Sequence, residues 1–334
     1  MLPLAFAVLT QLAQAASLPP SRFNLSVDSA GHRVSVRSRV ECSAPSIDGS
    51  THHHSTDAHL DSWQQFRWPV DGWLRGFRLV ARDLSNRILP ATRIHHLVLA
   101  NLDRRQLVHP AVERLLAIGS ETEDVLLPQL VGVPLRRGAR LALKVACHAV
   151  TPAEHEIWVA LDIAWTSLKQ APHPTSVFPF YVDVHLQSVL EMNTFDVPPG
   201  RSSTSYQFSI PLEGRLLAAG AHLHDHGLMV QLEDAATGSV ISRLRAKRDL
   251  AGKVVSIERK LYGVSGRGLR LRANHRYRLV AWYDNPSDST IKNGGMAHLV
   301  GLFQPADPGR WPPIDTTIVE LREDMRRVEG DIQR

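Results

Sequence analysis

The sequence predicts an all-β protein of the sandwich type, and three observations carry that prediction. Runs with strand character recur: residues 141–148, 157–164 and 277–283 are β-branched, aromatic or alternating and are bounded by turn residues. Turn punctuation separates them, at Arg137-Gly138, Pro198-Pro199-Gly200, Thr237-Gly238 and Asn285-Pro286. Helical periodicity is scarce. Many short strands at this spacing pack sheet on sheet, because a sheet with one apolar face must cover it. The chain has 334 residues, 43% hydrophobic and 21% charged, which suits two domains or one large β domain with ample core.

The elements follow in order. Residues 1–20 begin with a short apolar stretch closed by Ala13-Gln14-Ala15, a small-x-small site like that of an export signal. A basic start is missing, and the stretch is too short for a comfortable membrane span. The expectation is therefore an exported protein, periplasmic or secreted. Residues 21–166 read as an N-terminal β-sandwich domain, in which Trp63, Trp68 and Trp73 pack against the sandwich. Residues 110–116, opening on Pro110, suggest a short helix. Residues 167–176, rich in Pro and polar side chains, read as a linker. A second β-sandwich domain is expected over 177–305, with the glycine-rich stretch 263–268 as a hairpin turn. A tail, 306–334, includes a polar terminal helix from Met325. A faint internal echo crosses the linker: Leu135-Arg136, Arg140 and Leu143 recur at constant offset as Leu271-Arg272, Arg276 and Leu279. Both stretches read as turn followed by strand.

Composition and motif content exclude several functions. The 38 basic and 33 acidic residues give +5, with arginines spread rather than gathered into runs with aromatics, so a nucleic-acid partner is not expected. A G-x-S-x-G elbow, a P-loop and a dinucleotide fingerprint are all missing. Cys42 and Cys147 are the only cysteines. They can pair in an oxidising compartment, but a buried inert thiol is the plainer expectation.

The chemistry lies in the histidines. His222-Leu223-His224 sits where a strand is expected, and alternate strand residues share a face, so both imidazoles can converge on one ion. A pair of surface histidines on a polar face is the plain alternative. His226, two residues further, is a possible extra ligand or a partner to one. His95-His96 opens an apolar strand; vicinal residues face opposite ways, so both can reach one ion only where the backbone is irregular. His148 ends another strand, where a lone histidine is more often simply hydrogen-bonded. Met296 follows Gly294-Gly295 and offers a thioether, which favours copper, and His298 shares its face. His52-His53-His54, with Asp57 and His59, reads as a polar loop that binds metal adventitiously or not at all.

The order of these residues resembles the copper type II, ascorbate-dependent monooxygenases, the family of the peptidylglycine α-hydroxylating and dopamine β-monooxygenases. His95-His96, then His148, then His222-x-His224, then Met296 after a glycine pair recur in that order across residues 65 to 305. The resemblance implies two tandem jelly-roll-like antiparallel β-sandwich domains, one per copper, with the site in a solvent cleft between them. It implies that His95, His96 and His148 hold an electron-supplying copper. His222, His224 and Met296 would hold a second copper, the catalytic one, that binds O2 and attacks a substrate C–H bond. Ascorbate would be the reductant.

The chain also departs from that pattern. Gly220 stands where the peptide-hydroxylating members carry a substrate-binding arginine, and His298 and Val300 replace two further polar residues. A peptide ending in glycine is therefore not expected as substrate. The expected activity is hydroxylation of a small or apolar molecule. Two alternatives stand beside it: a secreted copper-binding or copper-sequestering protein on the same scaffold, and a cupin-like enzyme with a single metal. The cupin reading lacks its usual glutamate shortly after the H-x-H.

Overall fold

A computed structural model describes residues 22–42, 63–119, 122–147, 149, 151, 155–185, 194–263 and 268–330. The proposed export signal, His148, and the His52–His54 loop with Asp57 and His59 lie outside the described residues. So does most of the expected turn at 263–268.

The chain folds into antiparallel sheets packed as two tandem jelly-roll-like sandwiches. The first uses β1 (Phe23–Asp28), β2 (Arg33–Glu41), β3 (Gln64–Arg67), β4 (Gly72–Asp83), β5 (Ile88–Leu89) and β6 (Ile94–Arg105). It continues with β7 (Val112–Gly119), β8 (Val125–Leu126), β9 (Val131–Leu135), β10 (Arg140–Cys147), β11 (Glu156–Ser167) and β12 (Thr175–Ser176). Its large sheet runs β1-β2-β11-β4-β9-β12, with β5 and β8 also on β4, and its small sheet runs β3-β10-β6-β7. Between them lies a core of Val34, Val36, Leu97, Leu99, Leu141, Leu143, Leu161 and Ile163, all buried. Strand alternation produces this core, since Leu97 and Leu99 turn inward while His96 and Val98 face the other way.

The second sandwich uses β13 (Phe178–Asp183), β14 (Phe195–Val197), β15 (Gly200–Phe208), β16 (Gly214–Leu223), β17 (Gly227–Asp234) and β18 (Val240–Arg248). Then follow β19 (Val254–Ile257), β20 (Lys260–Leu261), β21 (Leu269–Leu271), β22 (Tyr277–Asn285), β23 (Ile291–Gly295) and β24 (Ala297–Pro305). One sheet runs β13-β24-β16-β20, with β21 also on β16, and the facing one runs β15-β22-β17-β18-β19. β20 and β21, which flank the glycine-rich stretch, both pair with β16. The echoed segments map onto β9–β10 and β21–β22, a strand, a turn and a strand in each sandwich.

Three expectations about individual segments are corrected. Residues 110–116 are not helical: Val112 starts β7, which pairs with β6 and buries Val112, Leu115 and Ile118. The proline cue lost to that pairing. The segment at 167–176 does more than link, because its last two residues add β12 in parallel to β9. The terminal helix α1 (Val319–Gly330) starts before Met325, and it is amphipathic rather than polar. Leu321, Met325 and Val328, at helical spacing, pack on Ala100, Leu102, Val112 and Ala142 of the small sheet's outer face. Asp324 fastens it, accepting from the Val112 amide at 2.8 Å and from Arg114 Nη2 at 2.7 Å.

Cys42 and Cys147 are joined in a disulfide, which corrects the expectation of an inert thiol. Their Cα atoms lie 4.8 Å apart, since β2 and β10 end side by side. Both residues are buried in the first core.

The two sandwiches interlock. Leu107, from the β6–β7 connection, is buried in the second core, and Leu217 of β16 is buried in the first. Nearby, His109 Nε2 accepts a hydrogen bond from the Asp183 amide at 3.0 Å, and Trp311 Nε1 donates to the Arg105 carbonyl at 3.0 Å. Burial pushes the His109 imidazole down from 6.5 to about 4, so at neutral pH its Nε2 is free of a proton and accepts. These contacts fix the faces that carry the remaining histidines.

Candidate metal centre at the sandwich interface

His95 and His96 share a site because of a β-bulge. On β10, Ala146 pairs with His96 but Cys147 pairs with Ile94, which leaves His95 as the extra residue. The bulge breaks the strict alternation that would send the two imidazoles to opposite faces, and their ring centroids lie 4.0 Å apart. The irregularity that the sequence required is therefore present.

The second sandwich presents its histidines by cross-strand pairing. In the antiparallel ladder of β16 and β24, His222 stands opposite His298 and Leu223 opposite Ala297. One step further the His224 amide donates to the Met296 carbonyl at 3.2 Å. H-x-H on one strand thus faces M-x-H on the other in reverse order, and side chains of equal parity share a face. The His222 and His298 rings stack at 4.9 Å. Tyr283 holds the start of β24, donating to the Met296 carbonyl at 2.6 Å and accepting from its amide at 3.2 Å. Burial raises the Tyr283 phenol far above its ordinary range, so it stays protonated and keeps that role. Gly295 is needed for close approach: a Cβ there would stand 2.2 Å from the Phe195 ring.

These two faces meet. His96 Nε2 lies 3.4 Å from His222 Nε2, and the His95 and His224 rings are 6.1 Å apart. His95, His96 and His224 place their donor atoms within 4.8 Å of one another. Of the expected ligands, the structure brings His95, His96, His222, His224 and Met296 to one place, with His298 joining them. The resemblance implied two centres facing each other across a solvent cleft. The structure instead puts His95 and His96 against His222 and His224.

His226 does not join. β16 ends at Leu223, and His226 adopts a left-handed turn conformation (φ 66°), with its amide donating to the Gly252 carbonyl at 2.8 Å. Its ring lies over Gly252, where an added Cβ would come within 2.5 Å of Nδ1. The strand face assumed for it is therefore not there.

The donor set fits a borderline or soft metal. It consists of imidazoles and one thioether, and Met296, His222, His224 and His298 are all buried. Burial, then the neighbouring His222 and the other imidazoles, holds His96 well below its ordinary value; burial and His222 do the same for His298. Neutral rings keep the lone pair that a metal needs.

Sequence reasoning missed Asp183, fully buried on β13 beside the cluster. Its carboxylate accepts from Tyr181 Oη at 3.0 Å and from the His185 amide at 2.8 Å, and it stands 3.9 Å from His298 Nδ1. The signal was the alternation Tyr181, Asp183, His185 between the apolar Phe180, Val182 and Val184. A cavity of about 870 Å³ opens from the histidines. Val98, Leu116, Ile118, Leu127, Val300 and Leu302 are among its walls. Trp63 is another wall residue and carries Arg114 and Lys144 over its ring.

Comparison with known proteins adds little to this geometry. No protein-family profile and no curated protein matches the chain. Among solved structures, the major capsid protein P2 from bacteriophage PM2 is 12% identical, covering 81% of this chain and 98% of that one, with a TM-score of 0.36. The STIV MCP is 8% identical over 77% and 94%, also at 0.36. A fucolectin from striped bass serum is 9% identical over 83% and 97%, at 0.19. Likeness of this degree carries nothing about chemistry.

Proposed function

We propose that this protein is an exported copper protein that hydroxylates a C–H bond of a small apolar molecule, using O2 and a reductant such as ascorbate. One observation carries the reading: three imidazoles, His95, His96 and His224, converge, and His95 and His96, with His222 and His298, also line a large cavity with many aliphatic wall residues. When bound, copper supplies one-electron chemistry toward O2. The chain's own residues do the rest. The aliphatic walls exclude water and hold an apolar body against the histidines. Asp183 places a buried carboxylate 3.9 Å from His298 Nδ1, which favours a positive charge at that edge of the cluster. The order of ligand residues still supports the monooxygenase resemblance, and the Cys42–Cys147 disulfide supports export to an oxidising compartment.

A second reading, copper sequestration without turnover, is favoured by the contact between His96 and His222, which leaves little room for two independent centres. Oxygen uptake separates the two. Copper-loaded protein with ascorbate and an alkylbenzene should consume O2 and release a hydroxylated product that carries label from ¹⁸O2. Copper retained without any uptake or labelled product would leave sequestration as the function.

A further inference from the structure

We infer that a single metal ion is held jointly by both sandwiches, through His95 and His96 of the first and His222 and His224 of the second. The centre is then a clasp across the interface and not a pair of facing centres. This rests on the metal-binding half of the proposed function, and it is independent of whether O2 is used.

The distances carry it. Two imidazole nitrogens bound at about 2.0–2.1 Å to one tetrahedral ion stand roughly 3.3–3.4 Å apart. His96 Nε2 and His222 Nε2, from opposite sandwiches, are 3.4 Å apart, which is long for a hydrogen bond between ring nitrogens and right for that chord. The triad His95, His96 and His224 crosses the interface as well, with donor atoms within 4.8 Å. Side-chain rotations of about an ångström would bring that set to the separations of one ion's ligands. Two ions placed among these nitrogens would repel each other at close range. The buried carboxylate of Asp183 stands 3.9 Å from His298 Nδ1, at the side of the group away from the proposed ligands' shared point.

Such an ion couples binding to the contact between sandwiches. His95 and His96 lie on β6 of the first sandwich, and His222 and His224 lie at the end of β16 in the second, so the full ligand set exists only when the sandwiches are docked. A ligand that binds only the docked form stabilises it by mass action. Leu107 and Leu217 already cross between the cores, and the ion would lock that contact.

The test uses the full chain, with Cu(I) supplied anaerobically under ascorbate and, separately, Zn(II), which cannot cycle. After dialysis, metal is counted for wild type, His95→Gln, His224→Gln and His226→Ala, the last lying outside the cluster. Circular dichroism of the metal-free proteins checks that each variant folds. One ion per chain is expected with either metal, lost both in His95→Gln and in His224→Gln and kept in His226→Ala. Metal should raise the thermal midpoint of wild type and of His226→Ala, and leave the other two unmoved. Two ions per chain, with one lost in each of the two cluster variants, would overturn the clasp while leaving the monooxygenase reading intact. No retained ion would overturn both. One shared ion without copper-dependent O2 uptake would uphold the clasp and remove hydroxylation.

Discussion

Acid should loosen the contact between the sandwiches through His109. Burial holds this imidazole at about 4 in the folded protein, against 6.5 for an ordinary histidine. Between those values the unfolded chain binds the extra proton and the folded chain does not. Stability is therefore complete above about pH 6.5 and is lost as the pH falls toward about 4. At 1.36 kcal/mol per pH unit, that displacement is worth about 3 kcal/mol. A proton on Nε2 would also remove the acceptor used by the Asp183 amide, one of the polar ties between the sandwiches. The assay is urea unfolding, followed by tryptophan fluorescence at several pH values from 7 to 4, on wild type and His109→Gln. The glutamine oxygen keeps an acceptor for the amide but does not titrate. His96 and His298, also held low, are present in both proteins and cancel in the difference. Wild type should lose about 3 kcal/mol relative to the variant across that range. Parallel pH profiles for the two proteins would refute the reasoning.

Other outcomes follow from the same contacts. Replacing both cysteines by serine removes a bridge between positions 105 apart and should cost about 4–5 kcal/mol, read from the urea midpoint under non-reducing conditions. Asp324→Ala leaves Arg114 without its buried partner and should cost roughly 3–5 kcal/mol, while Glu323→Ala on the exposed side should cost under about 1 kcal/mol. Leu107→Ala empties a site in the second core that is filled from the first sandwich, for about 2–5 kcal/mol, and limited proteolysis between the sandwiches should quicken with it.

Much of the architecture was legible because strands advertise themselves by alternation and turn residues. Elements fixed by distant partners were less so. Residues 110–116 carry a helix-opening proline, yet the edge offered by β6 draws them into β7. The clustered residues were legible as His-His, H-x-H and a methionine after two glycines. Their grouping was not, since it depends on how two sandwiches dock, and residues that cross between them, such as Leu107 and Leu217, look like any other leucines. The bulge at His95 was stated as a condition and could not be foreseen, because it arises from a register shift on β10. His226 shows the opposite failure: periodicity put it on the shared face, but the strand had already ended and turned.

Helix α1 has a consequence for synthesis. Asp324, which anchors it, lies 212 positions after Val112, the residue it caps. At about 5–20 residues per second, the outer face of β6, β7 and β10 would emerge roughly 10–40 s before its cover. Throughout that interval Ala100, Leu102, Val112 and Ala142 form an uncovered apolar patch on a nascent chain. The first half of the protein therefore waits, sticky and incomplete, for the entire second half to be made, and its yield should depend on holdase chaperones during translation.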